Sequence, residues 1–428
     1  MHYLVRKGSV KGEIAIPPSK SHTLRAVLFA SLAKGKSAIH RYLPSPDTFA
    51  MIEACRLLGA TIHIAPDILQ IEGINGKIRC AEDVINACNS GIVLRFCAAL
   101  GALSAHPIVI TGDHSIRHLR PMQPLLDGLS QLGVKATSMR GDGYAPVIIQ
   151  GPITKDHTTL TGEDSQPVSA LLIAAALADR PIAITVKNAG EKPWIALTLD
   201  WFDRLGILYQ NESFAHYRLQ GNSAFYGFDY TVPGDFSSAA FPIAAALVTG
   251  SELVVKNVDM KDTQGDKELV SVFQKMGAQI EIDSQHQALH VKQKSSLLGI
   301  HVDINNFVDA ITILAVVACF AEGETRICNA AIVRQKECNR IASITAELKK
   351  MGADITESDD GLIIRKSSLT GAPVHSYHDH RMAMSLTVAA LGAKGEASIG
   401  PIECVAKTYP TFVRDFNAIG ANIDEVKL

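Results

Sequence analysis

The stretch KELVSVFQKMGAQI, residues 267–280, closes a helix-like segment on methionine and glycine and runs on into a strand-like one. Leu269, Val270, Val272, Phe273 and Met276 recur at helical spacing among charged residues, so one face is buried and the other meets water. Glycine suits the left-handed position just past a helix C-terminus, so the helix stops at Gly277 and a strand follows. The same mark, a large apolar residue before glycine, returns as LLGATI, QLGVKA, RLGILY, KMGADI and AIGANI. The six glycines, 59, 133, 206, 277, 352 and 420, stand 68 to 75 residues apart. Glycine after a helix is common, but six instances at nearly even spacing are the signature of an internal repeat.

A second pattern runs in step with the first. Its openings are KSHTLR, NSGIVLR, DSQPVSA, DFSSAAF, VDAITIL and DHRMAMS, and Ser21, Ser90, Ser165, Ser237, Asp309 and His380 mark them at intervals of 69 to 75 residues. Alanine-rich runs follow, such as ALLIAAALA (170–178) and FPIAAALV (241–248), apolar on nearly every face and therefore buried on all sides. Each unit reads as a strand, a buried helix, a strand, an amphipathic helix and a further strand. Six units divide most simply as three plus three, an α/β protein of two similar domains with buried central helices and sheets outside. GEIAIPP (12–18) and YTVPGD (230–235) hold equivalent places. The chain is therefore expected to cross between domains near 19 and 234. That gives a first domain of 20–233, a second of 1–19 with 234–428, and two crossovers as a hinge.

Bulk composition agrees with a globular chain of at least two domains. The chain has 428 residues, 47% of them apolar and 20% charged, and 41 basic against 43 acidic side chains give a net charge of −2. That balance argues against nucleic acid or membrane as a partner. The most apolar run, Ala310 to Phe320, is about half the length that spans a bilayer. Eight cysteines without a C-x-x-C pair suggest neither a disulfide framework nor a zinc site, and MHYLVRKGSV is unlike a signal peptide. A cytoplasmic protein is expected.

The openings of the buried helices are too polar for plain caps. Serine, asparagine and aspartate are good N-caps, which accounts for Ser237 and Ser238 as well as any ligand does. Lys20, Arg25 and Arg381 are different, because a cation there opposes the helix dipole by a few tenths to about 1 kcal/mol and calls for an anion. Further cations stand at equivalent places. Arg117 and Arg120 flank a helix expected to start at Pro121, Lys407 precedes a helix with Pro410 in its first turn, and Lys336 and Arg340, four apart, share a helix face if their segment is helical. The set is expected to converge on more than one phosphate or carboxylate. With neither GxxxxGK[ST] nor GxGxxG present, a nucleotide is not indicated. Asp309 and Glu337, carboxylates among these cations, are candidates for proton transfer.

In order along the chain, SKSHTLR, CNSGIVLR, SIRHLRPM, PGDFSSAA, RQKECNR, YHDHRMAM and AKTYP resemble the marks of the 5-enolpyruvylshikimate-3-phosphate synthase family. The likeness covers essentially the whole chain. It implies the enolpyruvyl transferase-like fold, with three βαβαββ units per domain. It also implies transfer of an enolpyruvyl group from phosphoenolpyruvate to the 5-hydroxyl of shikimate 3-phosphate, in the pathway to chorismate and the aromatic amino acids. By this resemblance Lys20, Ser21, Arg25, Ser165, Gln166, Asp309 and Lys336 would hold shikimate 3-phosphate. Lys20, Asn89, Gly91, Arg120, Gln166, Arg340, His380, Arg381 and Lys407 would hold phosphoenolpyruvate. Asp309 would accept the hydroxyl proton, with Glu337 and Lys20 acting at the methylene carbon; no metal or organic cofactor is required, and a monomer is expected.

Departures from the family pattern are local. Asp164 and Glu191 stand where serine is usual, Trp194 where tyrosine is common, Asn339 for aspartate and Ile332 for asparagine. Ile92 and Phe96 replace the commoner threonine and proline, which is expected to reshape the phosphoenolpyruvate side and alter inhibition by glyphosate. The nearest alternative is the sister family, UDP-N-acetylglucosamine enolpyruvyl transferase, which usually carries a reactive cysteine in the loop equivalent to 113–120; this chain has none there.

Overall fold

A computed structural model describes residues 1–292 and 296–427 of the chain. These form two compact units, Pro18–Val232 and Met1–Pro17 with Pro233 onward, each with a separate apolar core. The divisions fall two residues and one residue earlier than the sequence pattern placed them. Ser19 is the N-cap of the helix Lys20–Leu32 and is buried with it. Pro233 leads into Gly234, where an added Cβ would lie 1.8 Å from the Asn257 carbonyl oxygen, and the Asp235 amide donates to the Pro17 carbonyl at 3.0 Å. Backbone contacts therefore draw 233 into the second unit.

Six central helices carry the repeat. They are α1 (Lys20–Leu32), α2 (Gly91–Gly101) and α3 (Ser165–Leu177) in the first unit, and α4 (Phe236–Thr249), α5 (Ile311–Ala318) and α6 (His380–Gly392) in the second. Every residue of α2 and α5 is buried, as their all-round apolar character requires. Small side chains let α2 pack on α3, and α4, α5 and α6 on one another. The Ser385 hydroxyl donates to Thr312 Oγ1 at 2.9 Å between α6 and α5, satisfying two hydroxyls that water does not reach.

The amphipathic helices, among them Pro46–Leu57, Lys192–Leu205, Glu268–Lys275 and Arg340–Lys350, bury one face against this centre. All six repeat glycines have positive φ, from 69° at Gly206 to 112° at Gly59, the conformation their positions demanded. Six four-stranded sheets flank the helices among the described residues, in one recurring order. In the third repeat His157–Thr161 runs parallel to Ile182–Lys187, which pairs antiparallel with His216–Leu219, and that with Tyr209–Glu212. Ile182, Ile184 and Val186 face the core while the residues between them are less covered, the alternation of a sheet buried on one side.

Two sheets exchange their first strands. Gly12–Ala15 pairs parallel with Leu253–Lys256 in the second unit, and Asp229–Thr231 pairs parallel with Ala38–His40 in the first. The sixth repeat ends one strand short. The N-terminal strand His2–Arg6 fills the place, antiparallel to both Glu396–Gly400 and Asn422–Val426. Each repeat is thus βαβαββ, the last with a strand brought from the other end of the chain.

Candidate functional site

In the first unit the helix starts hold the polar groups. Arg25, on the second turn of α1, is 3% exposed. Its Nε donates to Thr198 Oγ1 at 3.0 Å, Nη1 to the Ser21 carbonyl at 3.2 Å and Nη2 to the Trp194 carbonyl at 3.3 Å, and the guanidinium lies 5.3 Å from the centre of the Phe96 ring. All of these partners are neutral. Burial pulls the Arg25 pKa down, and a buried cation without a countercharge is costly until an anion reaches it.

Gly91 opens α2 beneath a crowd of polar groups. An added Cβ would stand 2.9 Å from both Arg95 Nη1 and Gln166 Oε1, and 3.4 Å from Arg120 Nη1, so glycine keeps this spot open. Arg95 donates to Gln166 Oε1 at 2.8 Å and to the Pro121 carbonyl at 3.1 Å, with Asp164 Oδ2 at 3.1 Å. Asp164 also caps α3, accepting from the Gln166 amide at 3.0 Å. Lys20 Nζ lies 3.7 Å from Asp47, Asn89 donates to Asp113 at 2.6 Å, and both the amide and the hydroxyl of Ser165 donate to Glu191 Oε2 at 3.0 and 3.1 Å. The two departures from the family pattern that bring carboxylates here are therefore engaged, Asp164 with Arg95 and Glu191 with Ser165.

The second unit holds a continuous chain of ion pairs. Lys407 Nζ meets Glu337 Oε1 at 2.8 Å, and Glu337 Oε2 meets Arg340 Nη2 at 2.8 Å. Arg340 is also bound by Asp379 through Nε at 2.7 Å and by Asp309 through Nη1 at 2.7 Å. Asp309 Oδ2 then lies 3.0 Å from Arg381 Nη2, and Arg381 Nη1 3.7 Å from Asp266 Oδ2. Burial pushes the Asp309 carboxyl up, but Arg381, Arg340 and Lys336 together hold it well below the usual carboxylate range. Burial opposes the charge of Arg340, and Asp379, Glu337 and Asp309 more than restore it. Asp379 caps α6 through the Arg381 amide at 2.8 Å, and His380 Nδ1 is 3.7 Å from its Oδ1.

Several local expectations need correction. Pro121 does not start a helix: the helix is Gln123–Gln131, and Arg117 sits in the short helix His114–His118. Lys336 and Arg340 do not share a helix face, because Lys336 follows the 3₁₀ turn Ala331–Gln335 and the helix begins only at Arg340. Lys407 ends the turn Glu403–Lys407, and the helix beyond it is Phe412–Ala418, past Pro410. Asp309 lies in the 3₁₀ turn Asn305–Ala310 that leads into α5, rather than at a helix cap. In each case a short 3₁₀ turn or loop stands where periodicity suggested a helix end.

Gly91, Arg120 and Gln166 come together, as do Asp309, Glu337, Arg340, Arg381 and Lys407, while Lys20 belongs to the other unit from Asp309 and Glu337. Arg95 and Asp379 stand inside the motifs CNSGIVLR and YHDHRMAM, but their ion pairs with Asp164 and Arg340 have no mark in the spacing of those motifs. Thr198, Asp47 and Asp113 gave no local signal.

The comparisons with known proteins bear on this arrangement. A family model described as EPSP synthase (3-phosphoshikimate 1-carboxyvinyltransferase) matches residues 5–416. The chain belongs to the EPSP synthase family. A 3-phosphoshikimate 1-carboxyvinyltransferase of Chlamydia caviae is 42% identical over 426 residues, covering 99% of this chain and 94% of that one. One of Acetivibrio thermocellus is 42% identical over 419 residues, covering 98% of each. Among solved structures, EPSP synthase from Acinetobacter baumannii superposes with a TM-score of 0.81 at 26% identity over the whole of both chains. The enolpyruvyl transferase NikO from Streptomyces tendae, 16% identical with a TM-score of 0.78, shares the fold. The α/β fold of this EPSP synthase family member is thus the enolpyruvyl transferase fold. No helix among its described residues is long and apolar enough to cross a membrane.

Proposed function

We propose that the chain works as a 3-phosphoshikimate 1-carboxyvinyltransferase, moving the enolpyruvyl group of phosphoenolpyruvate to the 5-hydroxyl of shikimate 3-phosphate and releasing phosphate. This is a transferase step of the shikimate pathway to chorismate and aromatic amino acids. The hydroxyl adds across the enol double bond as the methylene carbon gains a proton, giving a tetrahedral ketal phosphate. Reversal of the proton movements expels phosphate. Asp309 accepts the hydroxyl proton, and Glu337 with Lys20 serves the methylene carbon. Arg25, Ser21, Ser165, Gln166 and Lys336 hold shikimate 3-phosphate. Asn89, Gly91, Arg120, Arg340, His380, Arg381 and Lys407 hold phosphoenolpyruvate and balance the charge of the leaving phosphate.

The observation that carries this reading is the Asp309 carboxylate clasped between Arg340 at 2.7 Å and Arg381 at 3.0 Å, an ionised proton acceptor amid the cations that two anionic substrates need. Relatives named for the shikimate acceptor favour it over UDP-N-acetylglucosamine. All eight cysteines are free thiols, which suits the cytoplasm proposed for this enzyme, and a monomer is proposed with it. Phosphate release measured with each acceptor is the test. Turnover is expected with shikimate 3-phosphate, and Asp309→Asn should abolish it while shikimate 3-phosphate still binds. Turnover only with the nucleotide sugar would reverse the assignment.

A further inference from the structure

Asp266 is a buried carboxylate for which the chemistry above has no use. It sits on the turn Gly265–Lys267 and is 2% exposed. Its Oδ2 accepts the Ser237 hydroxyl and lies 3.7 Å from Arg381 Nη1, while its Oδ1, equally buried, accepts no hydrogen bond among the described residues. A carboxylate kept only for structure would be expected to have both oxygens satisfied at this depth. What Asp266 does have is one side of a guanidinium whose other side is bound to Asp309.

We propose that Asp266 is a positioning residue for the transfer, taking Arg381 Nη1 so that Asp309 shares that guanidinium instead of holding it alone. The proposal rests on the reading of Asp309 as acceptor of the hydroxyl proton. With Arg381, Arg340 and Lys336 all acting on it, Asp309 is a feeble base. Negative charge on the far side of Arg381 returns basicity to Asp309 by ordinary Coulombic compensation.

The groups that face Asp266 are Ser237 from α4 with its capping Asp235, Asp309 from the Asn305–Ala310 turn, and Arg381 from α6. On its own turn Lys267 points its Nζ to the carbonyls of Met260 and Asp262 at 3.2 and 2.6 Å. Burial, with Asp309 and Asp235, outweighs Arg381 and the Ser237 hydroxyl, and the Asp266 carboxyl is pushed up to about 7. Protonated, it lets Arg381 turn wholly to Asp309; ionised, it shares the cation. Turnover should therefore rise with pH through this titration.

The test is kcat for shikimate 3-phosphate and phosphoenolpyruvate from pH 5.5 to 9, after the wild type is shown to turn over. An inactive wild type would sink the underlying reading and not this one. With an active wild type, Asp266→Asn should lose the limb near neutrality and fall about 10-fold in kcat at pH 8, with the KM for shikimate 3-phosphate within about 3-fold. Ser237→Ala removes the hydroxyl that favours the charged form and should move the limb to higher pH, which also serves if Asp266→Asn does not fold. An Asp266→Asn enzyme with unchanged kcat and pH profile, or a limb unmoved in Ser237→Ala, would overturn the proposal.

Discussion

At the scale of single residues, Arg25 combines full charge, near-complete burial and only neutral partners. Two effects of removing it then oppose each other. Arg25→Gln should raise the KM for shikimate 3-phosphate about 10- to 100-fold, the loss of charge-assisted hydrogen bonds to a bound anion. The same change should leave the unliganded protein no less stable to urea, because a buried cation without a countercharge is gone. A marked loss of stability would show that Arg25 is structural. Phe96 follows from the same contact. It was expected on the phosphoenolpyruvate side, yet its ring lies 5.3 Å from the Arg25 guanidinium and is fully buried. Phe96→Leu keeps an apolar core but loses the ring face, worth about 0.5–2 kcal/mol to a cation. It should raise the KM for shikimate 3-phosphate more than that for phosphoenolpyruvate, and the reverse split would refute the contact's importance. Ile92 stands next to Gly91, and Ile92→Thr should change inhibition by glyphosate; unaltered inhibition would count against a role for this side chain.

At the scale of elements, most helices and strands were legible because periodicity and the glycine stop reflect local physics. The charged openings were legible only in part. Lys20, Arg25 and Arg381 at helix starts call for anions, and for Arg381 protein carboxylates answer first: Asp309 and Asp266 flank it. Arg340 is likewise met by Glu337 three residues before it and, from 31 and 39 residues away along the chain, by Asp309 and Asp379. No local pattern announces such pairings. Nor did the N-terminal strand announce its partner. Tyr3 and Val5 are buried, Tyr3 stacks on Phe412 with ring centres 6.1 Å apart, and the strand completes the sixth repeat's sheet. Val5→Ala should cost about 2 kcal/mol by urea titration, from lost methyl burial and the cavity left behind. A cost below about 0.5 kcal/mol would mean that the strand is dispensable.

At the scale of the whole molecule, strand exchange sets which pieces can fold alone. Residues 18–232 contain every strand of their three sheets, including Asp229–Thr231, so this fragment should unfold cooperatively in isolation. A fragment from 233 onward lacks His2–Arg6 and Gly12–Ala15 and leaves two sheets a strand short, so it should fold only when residues 1–17 are supplied. Circular dichroism and urea unfolding of the two fragments, with and without a 1–17 peptide, would decide this. Cooperative folding of 233–427 alone would contradict the topology described.

The amino-acid order alone determined the six-fold repeat, the buried and amphipathic helices, the α/β class and the family likeness, because each rests on spacing within about ten residues or on its recurrence. Which carboxylate meets which arginine, that Phe96 lies under Arg25, that Asp266 stands behind Arg381 and that residues 2–6 close the last sheet were decided only by tertiary structure. These are pairings between segments far apart in the chain, and packing brings them together without leaving a periodic trace in the sequence.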